Sequence, residues 1–247
     1  MKLAVLSDIH GNAVAFDAVL ADLARHPAER VICLGDAVQG GAEPRESVER
    51  LRALGCPVVM GNADAWLLSG HWTGTPQEEL RRRSLEDVRA WSLEQLDADA
   101  RAWIASFAPT VAVDLDGVSL LAFHGSPASF DEILLPTTPA ADFERALVPH
   151  ADRILCGGHV HLQFRRRVGD SFHFNPGSIG LAFRHDAEPG APIVDPWAEY
   201  AVLEVDRGRV SLDFRRVPYD VAAYIGKLRT SGRPHAEEAI ATRRVTG

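Results

Sequence analysis

Six apolar runs in this chain end on residues able to hold a cation or move a proton. They are SDIHGN (7–12), LGDAV (34–38), MGNAD (60–64), FHGS (123–126), GGHVH (157–161) and FNPGS (174–178). Each sets an oxygen or imidazole donor beside a glycine or another turn residue. Asp8 with His10, and His159 with His161, are two positions apart, the spacing that points side chains to one face of an extended segment. With Asp36, Asn62 and His124 they make a set of two Asp, one Asn and four His. Such a set is a poor hydrophobic core and a good cage for borderline divalent cations. Mixed imidazole and carboxylate donors suit Mn, Fe, Zn or Ni better than Mg or Ca.

Something must bring six chain positions to one place, and the apolar pattern supplies it. KLAVLSD, RVICLGD and PVVMGN alternate with helical patterns near Asn12 to Arg25 and Pro44 to Leu54, which argues for parallel strands joined by helices. In open α/β sheets, ligands bind outside the carboxyl ends of the strands, where these motifs fall. From about 65 to 108 the apolar spacing is helical, with no strand signal, so this stretch is predicted as a helical insert. Strands return as VAVDLD, VSLLAFHGS, RILCGGH, LQFRRRV, SFHFNPGS, YAVLEVD and VSLDFRRV, with hairpin turns at DLDGVS and EVDRGRVS. A helical tail from about 220 to 247 completes one domain over 1–247.

Composition narrows the function. At 247 residues and 46% hydrophobic, the chain buries a sizeable core. Its 26 basic against 34 acidic residues give a net charge of −8, which disfavours an anionic membrane or a sequence-blind grip on long nucleic acid. Phosphate recognition must therefore be local. Cys33, Cys56 and Cys156 are odd in number, without close-spaced partners, and read as reduced core thiols of a cytoplasmic protein. The N-terminus is apolar only as far as Leu6, too short for a signal-peptide core, and no stretch approaches spanning length.

The ordered motifs D-x-H, G-D, G-N-x-D, H-G and G-H-x-H, from Asp8 to Ser178, resemble the calcineurin-like metallophosphoesterase superfamily. DIHGN, the helical stretch before HGS and the later NPGS look most like its small bacterial and archaeal phosphodiesterases. The resemblance implies a four-layer α/β/β/α sandwich of two mixed sheets, the later hairpins fitting the second. It implies two divalent metals, with Mn the leading candidate. Asp8, His10 and His161 would bind one, Asn62, His124 and His159 the other, and Asp36 would bridge them. A metal pair about 3.5–4 Å apart clamps an in-line displacement and makes hydroxide from water near neutral pH. Neutral Asn62 keeps the centre positive, which favours a phosphate anion.

One position departs from the family pattern. Where related phosphatases carry G-N-H, with a His placed to protonate the leaving oxygen, this chain has Ala63. That proton is typically worth about 10²–10⁴ in rate. The expected substrate is therefore a small, soluble phosphodiester with a good leaving group, unless His71, His185 or a metal-bound water supplies the acid. Asp64 is expected to orient a ligand, Asn12 to support the site or contact substrate, and Arg184 to reach substrate phosphate. His26, His150, His173 and His235 read as incidental, Arg81–Arg83 as a solvated face, and most tryptophans of the insert as packing. Two other functions stay open: a phosphomonoesterase, including a protein phosphatase, and a non-catalytic metal-binding scaffold. Assembly as a homodimer is also open.

Overall fold

A computed structural model describes residues 1–73, 79, 81–184 and 193–243. Strand β1 (Lys2–Leu6) pairs in parallel with β2 (Arg30–Cys33), connected by helix α1 (Ala13–Arg25), as the alternating pattern requires. The third run of that pattern forms no full strand. Val58 and Val59 make only single bridges, to Cys33 and Ala108, at the edge of the sheet beside β2. Helix α2 (Pro44–Leu54) precedes it, with Pro44 in its first turn and Gly55 in the left-handed cap that ends it.

The described residues of the predicted insert include helices α3 (Asn62–Ser69), α4 (Arg82–Gln95) and α5 (Ala98–Ala105). The second sheet follows with β3 (Val111–Leu115), β4 (Val118–Ala122), β5 (Ile154–Cys156), β6 (Gln163–Val168) and β7 (Ser171–Pro176), ordered β3-β4-β5-β7-β6. It is mixed: β4, β5 and β7 run parallel, and β3 and β6 close the edges antiparallel. Helix α6 (Ala140–Leu147) links β4 to β5 and was not anticipated. Its signal was short: Phe143 and Leu147, four apart, are its two buried residues.

The hairpin of β8 (Trp197–Asp206) and β9 (Arg209–Pro218) departs from expectation. It joins the first sheet, β8 lying antiparallel to β1, to give the order β2-β1-β8-β9. Hairpin turns are local, and Asp116-Gly117 and Arg207-Gly208 both take the positive φ such turns need. Which sheet a hairpin joins is a long-range choice. The chain ends in α7 (Val221–Thr230) and α8 (Ala236–Ala241).

Strand alternation builds the layers. Leu3 and Val5 of β1 face inward and pack with Leu120, Ala122, Ile154, Cys156 and Phe174 of the other sheet. Ala4 and Leu6 face outward against Phe16 and Val19 of α1 and Leu51 of α2. On the far side, Leu121 and Leu155 turn out to Phe143 and Leu147 of α6. The result is the α/β/β/α sandwich. Among the described residues no helix is long and apolar enough to cross a membrane.

Candidate metal centre

The loops leaving β1, β2, β4 and β5 and the start of α3 meet at one end of the sandwich. Asp8, His10 and His161 each offer one donor atom, all within 4.8 Å of one another, and so do Asp8, Asp36 and His124. Asp8 belongs to both sets. His161 Nε2 lies 3.1 Å from Asp8 Oδ1, and His124 Nε2 lies 3.4 Å from Asp36 Oδ2. Asn62 Oδ1 is 2.9 Å from His124 Nε2, and the His159 and His124 rings are 5.2 Å apart. All seven predicted side chains thus gather in one cluster. Asp8 and His124 are buried, whereas Asn62 and His159 are half-buried and form its open side.

Three imidazoles are oriented alike. His10, His124 and His161 each point Nδ1 at a backbone carbonyl, of Gln39 (2.7 Å), Leu34 (2.7 Å) and Leu181 (3.0 Å). Because a carbonyl only accepts, Nδ1 carries the proton and Nε2 faces the cluster, the tautomer a metal-ligating histidine adopts. His10 Nε2 and His161 Nε2 stand 3.1 Å apart, and buried Asp8 Oδ1 accepts no hydrogen bond. Converging lone pairs around an orphaned carboxylate oxygen fit a divalent cation. Phe183 stacks on His161, rings 5.0 Å apart and 14° from parallel, and sequence reading missed it.

Charge is already partitioned here. Burial works against ionising Asp8, yet the adjacent imidazoles outweigh it and hold its pKa well below the usual value. Burial likewise opposes charge on His124, but Asp36 and Asp8 push its pKa up to about 10. His159, desolvated and beside that cation, falls to about 4.

The backbone is strained where the donors sit. Asp8, His10, Asp36, His159 and His161 all have positive φ, between 47° and 71°. The conformation is uncommon for residues other than glycine, and such strain collects at functional sites. Gly61 is needed beside it, since a Cβ there would lie 2.1 Å from Asp36 Oδ1.

The other predicted residues are distributed differently. Asp64 is fully buried and grips backbone: Oδ2 accepts from Asp36 N–H (2.7 Å) and Gly61 N–H (3.3 Å), Oδ1 from Ala37 N–H (3.0 Å). Burial and the charge of Asp36 lift its pKa to about 7. Asn12 is also fully buried; its Oδ1 caps α1 at Ala15 N–H (3.0 Å) and its Nδ2 donates to Gly180 O (3.4 Å), so it braces the site and has no surface for substrate. Ser178 of NPGS donates to Asp8 O (2.8 Å), and Asn175 donates to Gly158 O (2.5 Å). Arg184 donates to Asp195 Oδ1 (2.7 Å), which sets its guanidinium to an internal carboxylate. His71 is exposed just beyond Gly70, the left-handed cap that ends α3. His185 lies outside the described residues.

Comparison with known proteins agrees with this geometry. The family model of the calcineurin-like phosphoesterase superfamily domain matches residues 1–206. An uncharacterized protein of Methanocaldococcus jannaschii is 29% identical over 181 residues, covering 72% of this chain and 70% of that one. The phosphodiesterase YfcE of Escherichia coli is 28% identical over 191 residues, covering 73% and 80%. The crystal structure of a metallophosphoesterase from Sphaerobacter thermophilus superposes with a TM-score of 0.73 at 26% identity, covering 98% of each chain. Donor set, fold and sequence agree: this chain belongs to the calcineurin-like phosphoesterase superfamily.

Proposed function

We propose that the protein is a dinuclear metal-dependent phosphodiesterase acting on small soluble phosphodiesters, nucleotide-like ones foremost. The carrying observation is the fixed tautomer of His10, His124 and His161, which aims three Nε2 atoms at the Asp8 and Asp36 carboxylates. Asp8, His10 and His161 would hold one divalent cation and Asn62, His124 and His159 a second, with Asp36 between; Mn leads, and Fe, Zn or Ni also suit the donors. Bound there, the metals would supply phosphoryl charge neutralisation and a nucleophile drawn from water.

The chain's own residues then do three things. Buried Asp8 and Asp36 fix the charge, neutral Asn62 limits it, and the half-buried side at Asn62 and His159 admits the phosphoryl group. Ala63 offers no proton to a leaving oxygen, which favours esters whose leaving group departs unaided over alkyl monoesters. Three free cysteines, two of them buried, support a reducing, cytoplasmic setting.

The test is hydrolysis of an activated aryl phosphodiester and its matching monoester by metal-stripped protein titrated with Mn²⁺, with Asn62→Ala alongside. Faster diester cleavage that Asn62→Ala abolishes is the expected result. Metal binding without turnover of either ester would overturn the reading in favour of a scaffold.

A further inference from the structure

Past residue 206, where the family match ends, the chain returns to the metal centre from outside. Arg233, between α7 and α8, donates from Nε to Gly40 O at 2.8 Å. The preceding carbonyl, Gln39 O, takes the Nδ1 proton of His10. One peptide unit therefore separates a guanidinium from a ligand imidazole.

Arg243 and Tyr224 stand beside Arg233, and Tyr219 stands beside them. The Arg243 guanidinium lies 4.8 Å from the centre of the Tyr224 ring, and the Tyr219 and Tyr224 rings are 6.5 Å apart. The Tyr219 hydroxyl faces Arg243 and Asn12. Tyr224 is fully buried. The hydrogen-bond accounting does not close: Tyr224 Oη and Arg243 Nε are buried without a partner. Nor does the charge. The two guanidiniums donate to the carbonyls of Gly40, Pro234, His235 and Ala239 and the hydroxyl of Thr242, and no carboxylate lies at ion-pair distance from either among the described residues. Glu238 is turned instead to Arg81 (3.9 Å) and His235 (3.5 Å). Burial, with Arg243 adding to it, holds the Arg233 pKa below its ordinary value. A trapped water would satisfy the Tyr224 phenol but leave desolvated Arg233, with Arg243 beside it, uncompensated. An oxyanion satisfies both.

We propose that Tyr219, Tyr224, Arg233 and Arg243 form an oxyanion pocket that takes a second phosphate or carboxylate group of the substrate, beside the phosphoryl group at the ligand cluster. The substrate half of this rests on the phosphodiesterase reading; the anion half does not.

Inorganic phosphate titrated calorimetrically into metal-stripped protein tests the anion half without turnover. Binding is expected in wild type and in His161→Ala, and roughly tenfold weaker in Arg243→Gln and Tyr224→Phe, the effect of losing one charge-assisted hydrogen bond. Thermal melts confirm that each variant is folded. No binding by wild type, or binding lost in His161→Ala and kept in Arg243→Gln and Tyr224→Phe, overturns the pocket. In the Mn-loaded enzyme, Arg243→Gln should raise KM about tenfold for an activated diester bearing a second, non-scissile phosphate, and leave bis(p-nitrophenyl) phosphate unchanged. Equal KM for both esters, with phosphate binding weakened, overturns the substrate assignment and leaves a site for free phosphate. If wild type cleaves neither ester, the phosphodiesterase reading fails, and calorimetry still decides the pocket.

Discussion

The carboxylate of Asp64 closes on the backbone that carries Asp36, accepting the Asp36 N–H at 2.7 Å and the Ala37 N–H at 3.0 Å. Asp36 in turn accepts the Ala63 N–H on Oδ1 at 2.8 Å. Two loops are thereby locked together, and the carboxylate after Asn62 holds the bridging candidate without touching substrate. Asp64→Asn turns one acceptor into a donor facing a backbone N–H. Metal affinity should fall about 10–100-fold, as for other groups that orient ligands. Calorimetric Mn²⁺ titration of the variant checks this, and an unchanged affinity would separate Asp64 from the metal centre.

Ala63 fills the position at which the resemblance to G-N-H phosphatases places a leaving-group acid. Ala63→His should raise the rate on alkyl-leaving-group esters at least about tenfold, toward the lower end of general-acid effects, and leave p-nitrophenyl esters nearly unchanged. The ratio of the two rates is the readout. Equal change on both substrates would mean that leaving-group protonation does not limit this site.

Gly61 has no room for a side chain, because a Cβ would meet Asp36 Oδ1 at 2.1 Å and Asp36 N at 2.4 Å. Gly61→Ala should abolish diester hydrolysis and lower thermal stability. Overpacking of this kind typically costs about 1–3 kcal/mol. Wild-type activity in a folded Gly61→Ala protein would show that the Asp36 loop can move aside.

Far from the metal centre, Asp22 of α1 accepts from Tyr200 (2.6 Å) and Arg215 (2.9 Å), tying the helix to β8 and β9. Burial opposes its ionisation, but these donors bring its pKa down to about 2. A depressed carboxylate stabilises the fold above its unfolded pKa near 4 and loses that contribution as pH falls through 2. The contribution is at most about 2 kcal/mol. Tyr200→Phe should lower stability by about 1–2 kcal/mol at pH 7, with the difference from wild type vanishing near pH 2. Urea midpoints at pH 7, 4 and 2 measure it. A difference that persists at pH 2 would assign the loss to packing.

How much of this was legible in the sequence depended on the range of the interaction. Asp8, His10, Asp36, Asn62, His124, His159 and His161 could be found because each follows an apolar run and carries its own turn residue, which is local information. Helix α2 was read at its observed bounds because Pro44 and Gly55 mark its ends. The partner of the β8–β9 hairpin, the spending of Arg184 on Asp195, and the return of Arg233 to Gly40 are contacts across many residues with no local signal. Asn12 was visible as a residue near the ligands, but its double use as helix cap and loop brace needed the fold.

The left-handed backbone at Asp8, His10, Asp36, His159 and His161 also shapes how this centre can decay. Asn, Asp, His and Gly tolerate that conformation, while β-branched residues do not. Drift to Asn or Gly at these positions can therefore erase the chemistry and keep the architecture, whereas drift to Val or Ile breaks the loops as well. A descendant of such a chain can become a non-hydrolytic binding platform along a short, stereochemically marked path, and its former trade would stay readable in the amides and glycines left at its strand exits.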